Sequence, residues 1–196
     1  MRKILTTALF AVAATTGLTG CVLAPQTIQL NETSEVEAPR VAVQRGALIR
    51  VVDQREDTDE GNYLGNRGGR LAENSPLYVQ EELSSVLTAR LQDSMEQLGF
   101  GAASPDEPVK LELLVNRFRY SCNEGFLVTN CSISIRFNMT VIDGGRTFTK
   151  PYGLSETRRV AAAPVKDYNE KWVNDVVDRL WEYIFSDPEL REYLGV

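Results

Sequence analysis

Few side chains in this sequence could do chemistry. The stretch YSCNEGFLVTNCS, residues 120 to 132, holds Cys122 and Cys131, two of the three cysteines, nine positions apart. A zinc site needs four ligands, typically close Cys/His pairs, and the chain has no histidine. A redox pair would read Cys-x-x-Cys. A structural disulfide remains, provided the protein matures in an oxidising compartment. The missing histidine also removes Ser-His-Asp and Cys-His catalysis and imidazole acid-base chemistry. Serine-lysine and paired-carboxylate mechanisms stay formally open. No Ser-x-x-Lys spacing occurs, however, and no carboxylate pair stands out among the 27 acidic residues. The expectation is a protein that is not an enzyme, with no cofactor and no metal.

The second candidate is the connection Gln54 to Ser75, dense in Gly, Asn and charge. Structureless loops above about 12 to 15 residues are uncommon in compact domains unless they are functional or disordered. Asp53, Arg55, Asp57, Asp59, Tyr63, Arg67 and Arg70 are therefore its candidate binding residues. A calcium loop fails on spacing: counted from Asp57, Gly61 comes one place early and Gly68 occupies the position of the closing glutamate. GNRGGR lacks the Gly-Lys-Ser/Thr ending of a phosphate loop. Asp53 and Arg55 either form an ion pair that fixes the exit of the loop or contact a ligand directly. Replacing residues 56–70 by a few glycines is expected to leave the fold nearly intact, since closure entropy changes slowly with loop length.

Location decides the cysteine question. The chain begins MRKILTTALFAVAATTGLTGCV: a basic start, a short apolar run and small residues, the layout of a secretory signal. The run is shorter than the roughly 20 residues of a spanning helix. Leu18-Thr19-Gly20-Cys21 resembles the lipobox of bacterial lipoproteins, which implies cleavage after residue 20 and acylation of Cys21 with palmitate-type chains. Val22 in the next position implies sorting to the outer membrane, on its periplasmic side. Removing residues 1–20 takes two of the 21 basic residues and none of the 27 acidic ones, so the mature charge is −8. A chain this acidic is a poor partner for nucleic acid. In the oxidising periplasm Cys122 and Cys131, at facing ends of a hairpin, read as a disulfide.

The elements that must position these residues follow from periodicity. Residues 21–40 are polar and aperiodic and read as a lipidated tether, leaving residues 41–196 as one domain. A strand is clearest at Ala47–Asp53. Ser75-Pro76 reads as the start of a helix that carries Leu83, Val86, Leu87, Leu91, Met95 and Leu98 on one stripe and stops at Gly99. Strands follow at 109–120, 131–142 and 146–160, with Asp143-Gly144-Gly145 as a hairpin turn. A helix over 168–185 buries Trp172 and Trp181, and Asp187-Pro188 starts a short terminal helix. The order β-α-β-β-β-α implies an α+β two-layer sandwich: a mixed four-stranded sheet with two helices on one face.

The hairpin is specific enough to give a register. If Cys122 faces Cys131, Tyr120 faces Ile133 and Phe118 faces Ile135. The apolar residues of this strand then change parity, from Phe118 and Tyr120 to Val109, Leu111, Leu113 and Val115. One extra residue repairs the phase, so a β-bulge is expected near Asn116-Arg117, with Val115 facing Phe137, Leu113 facing Met139 and Leu111 facing Val141.

With the lipobox, VVDQRED, LSSVLTARLQDSMEQLGF, the strand meander and VNDVVDRLWEYIFSDPELREYL, the chain resembles the YajG-type lipoproteins of Gram-negative bacteria. The resemblance implies location and fold rather than activity. The expected role is that of an outer-membrane lipoprotein, held by its acyl anchor, that binds another envelope protein or assists an envelope complex. The alternative is recognition of peptidoglycan or muropeptides.

Overall fold

The computed structural model describes residues 24–37, 39–41, 45–56, 59–68, 75–101, 107–125, 128–161 and 163–196. Their elements are β1 (Gln26–Ile28), β2 (Ala47–Asp53), β3 (Tyr63–Asn66), β4 (Pro76–Val79), α1 (Leu83–Gln97), β5 (Val109–Glu124), β6 (Thr129–Asp143), β7 (Arg146–Val160), α2 (Lys166–Phe185) and α3 (Pro188–Leu194).

Strands β5, β6 and β7 form the long antiparallel meander that alternation requires. Cys122 pairs with Cys131, Tyr120 with Ile133 and Phe118 with Ile135, and the register shifts between Val115 and Arg117. Beyond the bulge Val115 faces Phe137, Leu113 faces Met139 and Leu111 faces Val141, so every one of these side chains is buried. Hydrophobic phase alone dictated this: without the extra residue Asn116 would enter the core. A disulfide joins Cys122 and Cys131.

The sheet corrects the four-strand expectation: among the described residues it has seven strands and three helices belong to the fold. Its order is β1-β4-β3-β5-β6-β7, and β2 also pairs with β5. Strand β6 takes one edge of β5. The other edge is shared end to end, with β2 parallel along residues 109–115 and β3 parallel at 120–121. The α+β class holds; the missing strands are three or four residues long, too short to show a period. At the junction Gly65 lies so close to β5 that a Cβ would sit 1.8 Å from the Tyr120 carbonyl oxygen, and its φ is +141°. Only glycine permits that approach.

Two further expectations fail for local reasons. Ser75-Pro76 does not cap a helix. Proline opens β4, as it can at the first residue of a strand, and the Ser75 hydroxyl donates to the Gly68 carbonyl at 2.5 Å. Leu77 and Val79 alternate into the core, and α1 begins at Leu83. Nor are residues 24–37 a tether. Ile28 and Leu30 are buried, and the following backbone is held by helix side chains: Glu170 accepts from Gln29 N–H, Asn174 from Asn31 N–H, Asp93 from Ser34 N–H and Gln97 from Val36 N–H, all within 3.0 Å. These partners come from the far end of the sequence or from α1, so local composition could not reveal them.

The core lies between one sheet face and the helices. Leu87 and Leu91 of α1, and Val173, Val177, Leu180 and Ile184 of α2, share one core with the inward side chains of β5 and β6. Trp172 and Trp181 are fully buried; their indole N–H groups donate to Glu156 at 3.0 Å and to Ser94 at 2.7 Å. None of these helices is long and apolar enough to cross a membrane.

Candidate functional site

The structure draws three of the seven loop candidates together, for a structural reason. Arg55 lies two residues beyond the end of β2, where β5 passes from its β2 partner to its β3 partner. Its side chain is 1% exposed and grips the Asp53 carboxylate, with Nη2 2.7 Å from Oδ2 and Nε 2.9 Å from Oδ1. The remaining donors reach the carbonyls of Tyr63 at 2.5 Å, Gly61 at 3.2 Å and Phe118 at 3.4 Å. A planar guanidinium with five donors can serve a carboxylate and several carbonyls at once, which lysine cannot. Asp53, Arg55 and Tyr63 therefore close the seam between β2 and β3.

Arg67 stands apart from that cluster. It is buried at the end of β3, donating to the Pro164 carbonyl at 3.3 Å and to the Ala24 carbonyl. Burial lowers its pKa from the usual arginine range, with the Tyr120 hydroxyl opposing the shift. Gly68 beside it has φ +83° and approaches Cys122. Asp59 is exposed on the surface. Asp57, Arg70 and the lipidation residue Cys21 lie outside the described residues. The described part of the connection is thus mostly framework, and residues 56–70 carry β3 and the buried Leu64. The expectation that they could be replaced by a few glycines is corrected: that change would cut the sheet between β5 and β4.

Two surface features lie outside these candidates. Among the described residues the helices cover one side of the sheet only. On the other side the register lines up Leu48, Lys110, Ile142 and Thr147 in one row, and Val52, Leu114, Asn138 and Pro151 two rows along. Leu48 is 54% and Ile142 40% exposed. Between the rows Arg50 pairs with Glu112 at 3.1 Å, and the hydroxyls of Thr140 and Thr149 meet at 3.2 Å. Further along, Arg117 lies directly opposite Arg136. Like charges opposite one another destabilise a sheet, so this pair costs the fold rather than supporting it. The signal was present in the second parity of the strands, where Leu48, Leu114 and Ile142 fall at outward positions.

A second feature is a groove of about 830 Å³ between the 31–37 segment, α1 and α2. Its walls carry Glu35, Asp93, Asp178 and Glu182 beside Arg90 and Arg191. Arg90 is buried, donates to Asp178 at 2.6 Å and to the Asn31 carbonyl at 3.1 Å, and lies 5.2 Å from the Trp181 ring centre. Among the described residues no three His, Cys, Asp or Glu side chains converge to hold a metal.

Comparison with known proteins gives the family. No curated protein matches the chain. A crystal structure titled only as that of an uncharacterized protein is similar to it, at 12% identity and a TM-score of 0.50, covering 86% of this chain and 99% of its own. Protein XCC0632 from Xanthomonas campestris is similar at 14% identity and a TM-score of 0.42, with 88% and 93% covered. The first likeness concerns the fold alone. The profile of a family described as uncharacterized lipoprotein matches residues 34–195, nearly all of the domain. The chain belongs to that lipoprotein family.

Proposed function

We propose that this is a YajG-type outer-membrane lipoprotein, anchored on the periplasmic side through acylated Cys21. In this reading it is not an enzyme and binds another envelope protein through the uncovered face of its sheet. The observation that carries the reading is that face: exposed Leu48 and Ile142 at one end and the opposed Arg117 and Arg136 further along. A partner with an apolar patch flanked by carboxylates would cover the first and neutralise the second. A photo-crosslinking amino acid placed at Thr140 or Arg136 in the native host should give an adduct of discrete mass. The same probe at Glu182, on the helix side, should not. Adducts at Glu182 alone would overturn the assignment of the face.

A second reading keeps the anchor and makes the protein a muropeptide receptor. The groove supports it, because a peptide bearing both ammonium and carboxylate groups suits walls carrying both charges. Sedimentation of the purified protein with sacculi, in the absence of any protein partner, would favour this reading over the first.

A further inference from the structure

We propose that the domain stands directly on the lipid surface that holds its anchor, with the disulfide-bearing tip of the β5–β6 hairpin seated in the membrane interface. This rests on acylation of Cys21, as proposed above, and adds to it the face that meets the bilayer.

The argument begins with chain length. Ala24 is three residues from Cys21, and three residues of extended chain reach at most about 11 Å. Ala24 itself is held: its carbonyl accepts from buried Arg67, β1 begins two residues later, and Ile28 is in the core. Only Val22 and Leu23 separate the acylated residue from the packed domain.

The register then says which end is held down. Gln26 pairs with Leu77, Leu77 with Gly65 and Gly65 with Tyr120. Two residues further out, Ala24 lies level with Cys122 and its partner Cys131. The hairpin continues past that level to Gly125 and Val128, three residues at about 3.3 Å each, or roughly 10 Å. The overhang of the tip equals the reach of the anchor. When the acyl chains enter the bilayer, the tip meets the interface at the same depth.

The side chains there suit a lipid surface. Val128, beside the tip, is 41% exposed. Val165, whose neighbour Pro164 shares Arg67 with Ala24, is 68% exposed. Both are apolar groups left in water, while most of the other apolar residues among those described are buried. The charges around them are mixed: Arg159 and Lys166 are exposed, as is Asp167, and Glu170 is half-buried, accepting from the Gln29 N–H. Apolar contact rather than attraction to anionic lipid must therefore seat this end, as for interfacial segments that bury an apolar face at the headgroup boundary. Ile142, near the far end of β6, then stands about 46 Å further out, fourteen residues at about 3.3 Å each. The open sheet face is thereby presented to the periplasm rather than to lipid.

The test uses the full acylated protein in zwitterionic phosphatidylcholine vesicles, with bromine high on the acyl chains or absent. Native Trp172 and Trp181 give a buried background. Val128→Trp should shift its added emission to the blue and lose intensity with brominated lipid. Val165→Trp should do so more weakly, and neither response should fade in high salt. Ile142→Trp should show no brominated-lipid loss beyond wild type. All three positions are exposed, so the core is untouched, and each tip variant is an independent probe. Acylated protein in which Val128→Trp and Val165→Trp behave like Ile142→Trp would overturn the seating while leaving the anchor standing. Quenching of Ile142→Trp would overturn it too, since the sheet would then lie flat. A mass spectrum without acylated Cys21 would remove the anchor, and this inference with it.

Discussion

Replacing Arg55 by methionine tests whether the Asp53-Arg55 step is framework or binding surface. Methionine keeps the length and apolar stem but removes every donor. The carbonyls of Tyr63 and Gly61 and the Asp53 carboxylate lose a charged partner at 2.5, 3.2 and 2.7 Å. Breaking a fully buried pair costs about 3 to 5 kcal/mol, and charge-assisted hydrogen bonds contribute about 1.5 to 3 kcal/mol each. The Asp53 side chain is 20% exposed, so water recovers part of its loss. Methionine also spares the desolvation of the guanidinium. The balance is a destabilisation of about 3 kcal/mol, read from urea unfolding of the soluble domain with the slope unchanged. Lysine should recover little, because a single ammonium cannot span a carboxylate and carbonyls on two strands. Asp53→Ala combined with Arg55→Met should fall short of additivity by about 1 to 2 kcal/mol. A loss below about 0.5 kcal/mol, or strict additivity, would refute the seam and return Arg55 to the list of ligand contacts.

Two other perturbations bear on the hairpin ends. Cys122→Ala with Cys131→Ala opens a loop of about ten residues and should cost about 2.7 kcal/mol by chain entropy, measured as a lower urea midpoint that reductant no longer moves. At the opposite end, hydrogen bonds from Arg45 hold the Asp143 carboxyl below the usual carboxylate range, burial opposes this, and Arg146 adds to it. A depressed carboxylate contributes stability that is full above the unfolded value of about 3.9 and is lost as pH falls through the folded one. Asp143→Asn should therefore be the less stable protein at pH 7, with the gap to wild type closing as pH drops below about 4. A gap independent of pH would assign the effect to the turn rather than to the charge.

The meander, its bulge and its disulfide were legible in the sequence because long strands carry many apolar positions. Six inward residues on β6 and a change of parity on β5 leave one register. The short strands were not legible. Tyr63–Asn66 and Pro76–Val79 hold too few residues for a period, and what makes them strands is pairing with β5 and with each other. Ser75-Pro76 carries a helix-start signature that a strand opening with proline shares, and local sequence does not separate them. The surface proposed to bind was half legible: Leu48, Leu114 and Ile142 stand at outward positions of recognisable strands, but their exposure depends on both long helices choosing the other face.

The loop and the tether were misread through one inference, that charged and polar sequence lies in water. Three arginines show why it failed. Arg55 serves the carbonyls of Gly61, Tyr63 and Phe118; Arg67 serves those of Ala24 and Pro164; Arg90 serves that of Asn31. Irregular backbone can enter a core only if its polar groups are paired, and a guanidinium pairs several at once with its flat face free to pack, as Arg90 does on Trp181. Each arginine thus converts a polar, aperiodic stretch into buried structure. It leaves in the sequence a charge-dense segment that looks like an exposed one. Distinguishing the two needs the partner carbonyls, and Ala24, Pro164 and Phe118 lie far along the chain from the arginines that reach them.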